Sequence, residues 1–363
     1  MSSRLLVSAQ AQIAAGEYYE AHQKLRTLAN RYMKAGAVSR PSEANVQKTI
    51  DLLCGGASAL LDQGQTTSAA DLILYVLDIY TKYRVPSSEG SRSVKLLSDQ
   101  YQADKQRICQ LLTKLPPAQE PLAGGIVKTL VKWSVRCQQE FWALDLAAQD
   151  ITLADQSKSN PPPAVLAGDA DLHHFLGTLF ANDGEYERAE YHLLLGTTES
   201  ARVLAKAMHQ WSQVATLELA DPGIYAARGI LQYLALNKPH GAYVFWDTYR
   251  GFVKDDTSAK SPRTNDDPDP LTIRHEVSTI VNFCQLLLLA VERRGRDAFA
   301  KLRTDYPVEW GKSRDVVYQL LDVIGECHFG ITIPKQGNPL QDIMKAFFAS
   351  GSGGGGGNAA LPF

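Results

Sequence analysis

The chain has 363 residues, more than one hydrophobic core usually supports, so the sequence predicts either two domains or a stack of repeated units. It is 45% hydrophobic and 21% charged, with a formal net charge of -2, which gives no global attraction to nucleic acid or to an anionic membrane surface. Five widely spaced cysteines without a CxxC pair favour reduced thiols over a disulfide framework or a zinc site, and no segment reaches the roughly 18 uninterrupted apolar residues of a membrane span. We therefore expect a cytosolic protein that neither binds nucleic acid nor inserts directly into a membrane.

The first long helix is predicted between Gly16 and Gly36, and it has two different faces. Its opening, Gly16-x-Tyr18-x-x-Ala21, resembles the start of the second helix of a tetratricopeptide hairpin, in which glycine turns the chain and alanine lets helices approach closely. Apolar and aromatic side chains recur at steps of three and four on the buried face, namely Tyr18, Ala21, His22, Leu25, Leu28, Ala29 and Tyr32. With a preceding helix over 5–15, this pattern predicts a helical hairpin.

The same opening recurs along the chain. Gly64 precedes a helix that turns Ala69 inward, Gly184 begins the plainest copy, and Gly295 begins a degenerate one. The intervals between the copies are not constant, so the sequence predicts an all-α, irregular tetratricopeptide-like array of helical hairpins, not a uniform series of about 34-residue repeats.

The array divides at a polar, proline-containing stretch. We assign residues 1–150 to an N-terminal helical array, 151–168 to a linker loop that contains three successive prolines, and 169–349 to a C-terminal helical array. Residues 350–363 are glycine-rich and predict a disordered tail.

One segment of the C-terminal array departs from the helical pattern. Lys254 to Pro270 is polar, contains proline and is too long for a passive connection, so it predicts either a mobile insertion or a functional loop. Thr272 to Ile280 alternates weakly, which allows a short β-hairpin near 252–280. Val281 to Val291 is the most hydrophobic stretch and predicts a core helix.

Several catalytic patterns are incomplete. Gly311-Lys312-Ser313 has the end of a phosphate-binding loop, but Tyr306 stands where its first glycine must be. His275-Glu276 begins a zinc-protease motif, but Thr279 replaces the second histidine. His173 and His174 are adjacent and therefore point about 100° apart on a helix, which favours packing over metal ligation. We expect no catalytic residue, no cofactor and no metal.

The first long helix carries a basic stripe formed by Lys24, Arg31 and Lys34, with Arg26 at its border. An ordinary solvated helix face and an acidic binding partner both explain such a stripe. RNA is the weaker explanation, because the stripe has no interleaved exposed aromatic side chains on which bases could stack. His22 lies on the apolar face of the same helix and is predicted to be a hydrogen-bonded core histidine rather than a base.

Asp71 belongs to another predicted helix, the one that turns Leu72, Val76 and Ile79 inward. Helical spacing therefore places Asp71 outward, where it would be free to meet a partner. The alternative is an acid that only stabilises the amino end of the helix dipole, by under about 1 kcal/mol.

Several motifs together resemble one family. The motifs are Tyr18-Tyr19-Glu20-Ala21-His22-Gln23, Arg26-Thr27-Leu28, Arg31-Tyr32-Met33, Ser68-Ala69-Ala70-Asp71-Leu72, Tyr186-Glu187-Arg188-Ala189-Glu190-Tyr191, Asn282-Phe283-Cys284-Gln285-Leu286-Leu287-Leu288, Pro334-Lys335-Gln336 and Leu340-Gln341-Asp342. In this order they resemble the Golgi-to-ER traffic protein four family, whose members are cytosolic scaffolds of tail-anchored membrane protein targeting.

The resemblance implies an all-α, right-handed superhelix that does no chemistry itself. Its N-terminal half is similar to the surface that docks a homodimeric targeting ATPase in its nucleotide-bound form. The docking residues implied are Lys24, Arg26, Arg31 and Lys34. Asp71 matches a family position implicated in restraining ATP hydrolysis.

The C-terminal half is similar to a cradle for the N-terminal segment of a ubiquitin-like-domain partner, through which a glutamine-rich co-chaperone delivers clients. The partner-binding residues expected here are Lys254, Pro270, Thr272, Ile273, Leu340, Ile343 and Phe347. The alternative is a generic tetratricopeptide-type co-chaperone adaptor, which would bind chaperone C-terminal peptides instead of the targeting ATPase.

Overall fold

The structure, a computed structural model, describes residues 2–35, 40–86, 94–116, 120–148, 161–214, 223–258, 278–308 and 310–331. Every regular element in these residues is a helix, and none of them forms a strand. The chain divides into two compact units, Met1–Leu172 and His173–Phe363. The all-α prediction is confirmed, while the right-handed superhelix stays a prediction.

The first unit contains α1 to α7. Their bounds are Ser2–Ala15, Tyr18–Lys34, Glu43–Asp62, Thr66–Tyr83, Val94–Leu112, Glu120–Ala148 and Pro163–Ala167. Consecutive helices of the first four pack on each other, and α6 packs on α4. The Trp133 ring of α6 lies 5.0 Å from the rings of Tyr80 and Tyr101, and all three side chains are buried. This aromatic cluster is part of the first unit's core.

The helix α8, Ala170–Asn182, follows at the sequence boundary between the units. The second unit continues with α9 to α15, whose bounds are Tyr186–Leu195, Thr198–Val214, Gly223–Ala235, Pro239–Ser258, Thr279–Glu292, Arg296–Asp305 and Arg314–Phe329; a 3-10 turn covers Gly311–Ser313. Its core includes Phe245 of α12, which packs where Gly229 of α11 has no side chain.

The predicted hairpin starts are confirmed by one recurring turn. Gly16, Gly64 and Gly184 have φ values of 82°, 70° and 78°, and the next helix starts two residues later in each case. The residue after each glycine donates its N–H across the turn, for example from Gln65 to the carbonyl of Leu60 at 2.8 Å. This is the hydrogen bond of a Schellman turn, in which a left-handed residue ends one helix.

Two further turns have the same geometry without glycine in the left-handed position. Asn237 has φ 55° and precedes α12, and Arg294 has φ 50° and precedes α14. The predicted copy at Gly295 is therefore shifted by one residue, because Arg294 takes the left-handed conformation and Gly295 has φ -79°. The turn before α12 was not predicted.

The structure corrects two predicted irregular segments. Residues up to Ser258 continue α12, so Lys254 lies in a helix and not in a loop; no proline or glycine occurs between Phe252 and Ser258 to end it. Ser278 accepts a hydrogen bond from the N–H of Val281 and caps α13, so the predicted strand is wrong at Thr279 and Ile280.

Other expectations lie partly or wholly outside the described residues. The rest of the predicted hairpin, 259–277, and the predicted tail, 350–363, are outside them. In the predicted linker, Pro163–Ala167 forms the short helix α7, with Pro163 at its first position, where a missing N–H costs nothing.

Candidate functional site

The helix α2 is placed by its apolar stripe. Ala21, Leu25, Leu28 and Ala29 are at most 2% exposed, against α1 and α3 of the same unit. Burial of this stripe leaves the opposite side of α2 in solvent, including Gln23 and Thr27. The predicted basic stripe is therefore on a helix whose orientation is set by its core contacts.

The four predicted docking cations fall into two groups. Arg31 and Lys34 are exposed in the last turn of α2, and neither makes a hydrogen bond or an ion pair with the residues that the structure describes. Lys24 is half-buried and donates from Nζ to Ser8 Oγ at 2.8 Å, a neutral partner that leaves its charge uncompensated. Arg26, by contrast, is paired with a carboxylate of α4.

That carboxylate is Asp71. Arg26 Nη1 donates to Asp71 Oδ1 at 2.7 Å and to Oδ2 at 2.5 Å. His22 Nε2 lies 2.7 Å from Asp71 Oδ2, and the His22 side chain is only 11% exposed. The histidine is thus a hydrogen-bonded core residue, as predicted. The expectation of an unpartnered Asp71 is wrong, because two side chains of α2 hold its carboxylate.

The electrostatics of Asp71 follow from these contacts. Burial acts to raise the pKa of Asp71, but hydrogen bonds from Arg26 and His22, together with their charges, outweigh it and hold the pKa below its usual value. The carboxylate is therefore ionised at neutral pH and neutralises much of the Arg26 charge. The side chains of Arg26 and Asp71 remain 40% and 42% exposed, so solvent screens the pair.

An aromatic ring completes the site. The Arg26 guanidinium carbon lies 5.3 Å from the ring centroid of Tyr75, within cation–π range, and the Tyr75 hydroxyl donates to Asn30 Oδ1 at 2.7 Å. We call His22, Arg26, Asn30, Asp71 and Tyr75 the α2–α4 face. It joins the two helices through charged and polar contacts, on the helix that also carries Lys24, Arg31 and Lys34.

The adjacent histidines His173 and His174 contact other side chains of the second unit. His173 and His192 are both buried, with their Nδ1 atoms 2.9 Å apart, while His174 Nδ1 lies 3.0 Å from Ser200 Oγ. The two adjacent histidines thus point to different partners, His173 being buried and His174 half-buried. Within the described ranges, no group of three or more His, Cys, Asp or Glu side chains could hold a metal ion.

The predicted partner-binding residues of the C-terminal half lie mainly outside the described residues. This applies to Pro270, Thr272, Ile273, Leu340, Ile343 and Phe347, whereas Lys254 lies in α12.

Sequence analysis missed a groove of about 520 Å³ between α13 and α14. Leu286 and Leu289 line its α13 side, and Leu302 and Tyr306 lie opposite. The predicted core helix α13 is thus only partly core, because Leu286 and Leu289 are half-buried. Among the helices described, none is long and apolar enough to cross a membrane.

Comparison with known proteins gives a consistent result. The family model of Golgi to ER traffic protein 4 matches residues 43–348, a range that includes Asp71 and begins after α2. Golgi to ER traffic protein 4 of Aspergillus fumigatus is 30% identical over 349 residues, which cover 95% of this chain and 89% of the relative. The protein of the same name from Schizosaccharomyces pombe is 29% identical over 337 residues, 91% of each chain.

A solved structure agrees in fold. The crystal structure of C. therm. Get4 matches with a TM-score of 0.68 at 28% sequence identity, and the match covers 100% of this chain and 98% of that one. The similarity thus extends over both units.

Proposed function

The chain belongs to the Golgi to ER traffic protein 4 family, and on this premise we propose that it is a cytosolic, non-catalytic scaffold of tail-anchored membrane protein targeting. In this role it bridges a homodimeric targeting ATPase to a ubiquitin-like-domain partner and, through that partner, to a glutamine-rich co-chaperone. Clients are then handed to the ATPase for delivery to the endoplasmic reticulum.

One observation carries the ATPase-docking part of the proposal. At the end of α2, Arg31 and Lys34 are exposed and have no partner among the described residues, and Lys24 has only a neutral one. Three cations on one helix, none of them paired with a carboxylate of the described residues, form a surface that an acidic protein patch complements. Exposed charges of this kind raise the association rate and make it sensitive to salt more than they raise affinity.

The regulatory part of the proposal concerns Asp71. This carboxylate lies on α4 and is bonded to Arg26 of the docking helix. A docked ATPase that contacts Arg26 would therefore be coupled to Asp71, and we propose that through this coupling Asp71 restrains ATP hydrolysis.

The second unit is proposed to capture the apolar segment of the ubiquitin-like partner, with 259–277 and with Leu340, Ile343 and Phe347 contributing to the surface. The half-buried leucines of the groove between α13 and α14 support an apolar contact in this unit. A hydrophobic interface would be persistent, unlike the charged contact of the first unit.

A generic tetratricopeptide-type co-chaperone adaptor is the second candidate, and the recurring hairpin turns favour it. Binding to the immobilised chain distinguishes the two. The scaffold proposal predicts binding of the purified targeting ATPase with ATP and of the ubiquitin-like partner, but not of a chaperone C-terminal peptide. Binding of the peptide without the ATPase would contradict the proposal and support the adaptor.

A further inference from the structure

The bond between Arg26 and Asp71 uses only part of the arginine's hydrogen-bonding capacity. Both contacts to the carboxylate come from Nη1, while Nε and Nη2 donate to no group in the part of the chain that the structure describes. Two-fifths of the Arg26 side chain remains exposed. An arginine has five N–H donors in a rigid, planar fork, so a second carboxylate can bind while the first still holds it.

The position of Arg26 is fixed from several directions. Asp71 is itself held by His22, and the Tyr75 ring next to the guanidinium is fixed by the hydrogen bond from its hydroxyl to Asn30. A long side chain that is ordered before binding loses less conformational freedom when its partner arrives. Arg26 therefore differs from Arg31 and Lys34, which no described residue holds in place.

We propose that Asp71 is a positioning residue, which holds Arg26 on the α2–α4 face so that its remaining donors can bind a carboxylate of the docked ATPase. This inference rests on the proposed ATPase-docking function. It treats Asp71 and Arg26 as one unit: Asp71 reaches the ATPase through Arg26 and not through a contact of its own.

Asp71 has two effects on an acidic partner, and they have opposite signs. Its negative charge weakens the attraction of the face for an acidic surface, whereas its hold on Arg26 strengthens the contact. Removing the carboxylate therefore weakens docking if position dominates, and strengthens docking if charge dominates. The sign of the change in affinity therefore shows whether the position of Arg26 or the charge of Asp71 dominates.

The experiment measures the dissociation constant of the full chain for the targeting ATPase with ATP bound. Positioning predicts about a fivefold weakening for Asp71→Ala, the size expected for losing one ordered charge-assisted contact at a part-exposed site. Asp71→Asn removes the charge but retains an oxygen that accepts from Arg26, so it is expected to bind at least as tightly as wild type. Asp78→Ala is the matched control, because Asp78 is exposed on the same helix and pairs only with Lys82 among the described residues; it should not weaken binding.

A double-mutant cycle tests whether the two residues act together. In an Arg26→Ala background there is no arginine left to position, so Asp71→Ala is expected not to weaken binding and, by removing a negative charge, to tighten it slightly. Tighter binding of the single variant Asp71→Ala, equal binding of Asp71→Ala and Asp71→Asn, or simple addition of the two single effects would each overturn the positioning role.

A measurement on the chain alone separates this inference from the proposed function. Guanidinium NMR of Arg26 should show faster side-chain motion in Asp71→Ala than in wild type and in Asp71→Asn. Unchanged motion would refute the inference even if the ATPase binds. Absence of ATPase binding to the wild-type chain would instead refute the docking function, and the inference with it.

Discussion

The buried carboxylate of Asp169 offers the sharpest test of what holds the first unit together. Its Oδ2 accepts from Lys105 Nζ at 2.6 Å and from the Tyr101 hydroxyl at 2.9 Å, while Oδ1 accepts from the N–H groups of Asp171 and Leu172 at the start of α8. The side chains of Asp169 and Lys105 are 7% and 11% exposed. Burial acts to raise the pKa of Asp169, but the hydrogen bond and charge of Lys105 outweigh it and keep the pKa below its usual value.

The change Asp169→Ala leaves the Lys105 ammonium buried without its carboxylate. Breaking a buried ion pair by removing one partner costs about 3–5 kcal/mol. The same substitution also removes the hydrogen bonds that Asp169 accepts from the N–H groups at the start of α8. We therefore expect the free energy of unfolding of the first unit to fall by about 4 kcal/mol. Hydrogen exchange of peptides from α5 and α6, measured at increasing urea concentration, gives the free energy of unfolding of the first unit separately from that of the second.

Two further variants test whether the loss of stability comes from the buried ion pair. Asp171→Ala removes an exposed acid two residues away and should cost under about 1 kcal/mol. Lys105→Met combined with Asp169→Ala removes both charges and should recover most of the loss, because a buried ion pair is often replaceable by apolar side chains. A cost below about 1 kcal/mol for Asp169→Ala, or no recovery in the double variant, would show that the pair does not stabilise the unit as argued.

Three other results are expected. Burial, together with the nearby charge of His173, holds the pKa of His192 well below 6.5, so near that pH His192 gains a proton only in the unfolded chain. The free energy of unfolding should therefore fall as the pH drops below about 6.5, by at most about 1.4 kcal/mol per pH unit. His192→Asn should flatten this part of the thermal-melting pH profile. Gly177→Ala would place a methyl group 2.5 Å from the side chain of Leu193 and should lower the free energy of unfolding by about 1–3 kcal/mol, measured by chemical denaturation. Gly251→Ala meets nothing within 4 Å and should stabilise α12 by about 0.5–1 kcal/mol. Similar changes in stability for the two variants would contradict the packing of α8 on α9. Deleting 259–270 should weaken capture of the ubiquitin-like partner in calorimetry while ATPase binding is retained, and unchanged partner affinity in a folded variant would show that the segment is only an insertion.

Helix starts were predictable where one residue type carries the signal. Gly16, Gly64 and Gly184 adopt the left-handed conformation that glycine takes without steric cost, so the turn can be read from the sequence. Asn237 makes the same turn, but asparagine takes this position less often than glycine, so its presence alone does not predict the turn. Arg294 gives no such signal, because arginine has no preference for that conformation.

The α2–α4 face shows the limit of reasoning from one helix at a time. Helical spacing correctly turns Asp71 away from the buried side of α4, but its partner Arg26 lies 45 residues earlier, on another helix. Periodicity within α4 contains no information about which side chain of α2 reaches across. Likewise, the hydrophobicity of α13 predicts burial but not that Leu286 and Leu289 would border a groove.

The cations of α2 are proposed to dock the chain on an acidic surface of the targeting ATPase. Stopped-flow association of the chain with the ATPase, at low and high salt, tests this proposal most directly. The double variant Lys24→Glu, Arg31→Glu should slow association by at least about tenfold at low salt and reduce its salt dependence. The control variant Lys48→Glu, Lys132→Glu makes an equal charge change at exposed sites on α3 and α6 and should leave most of the association rate intact. Equal association rates for the two double variants would contradict the proposal.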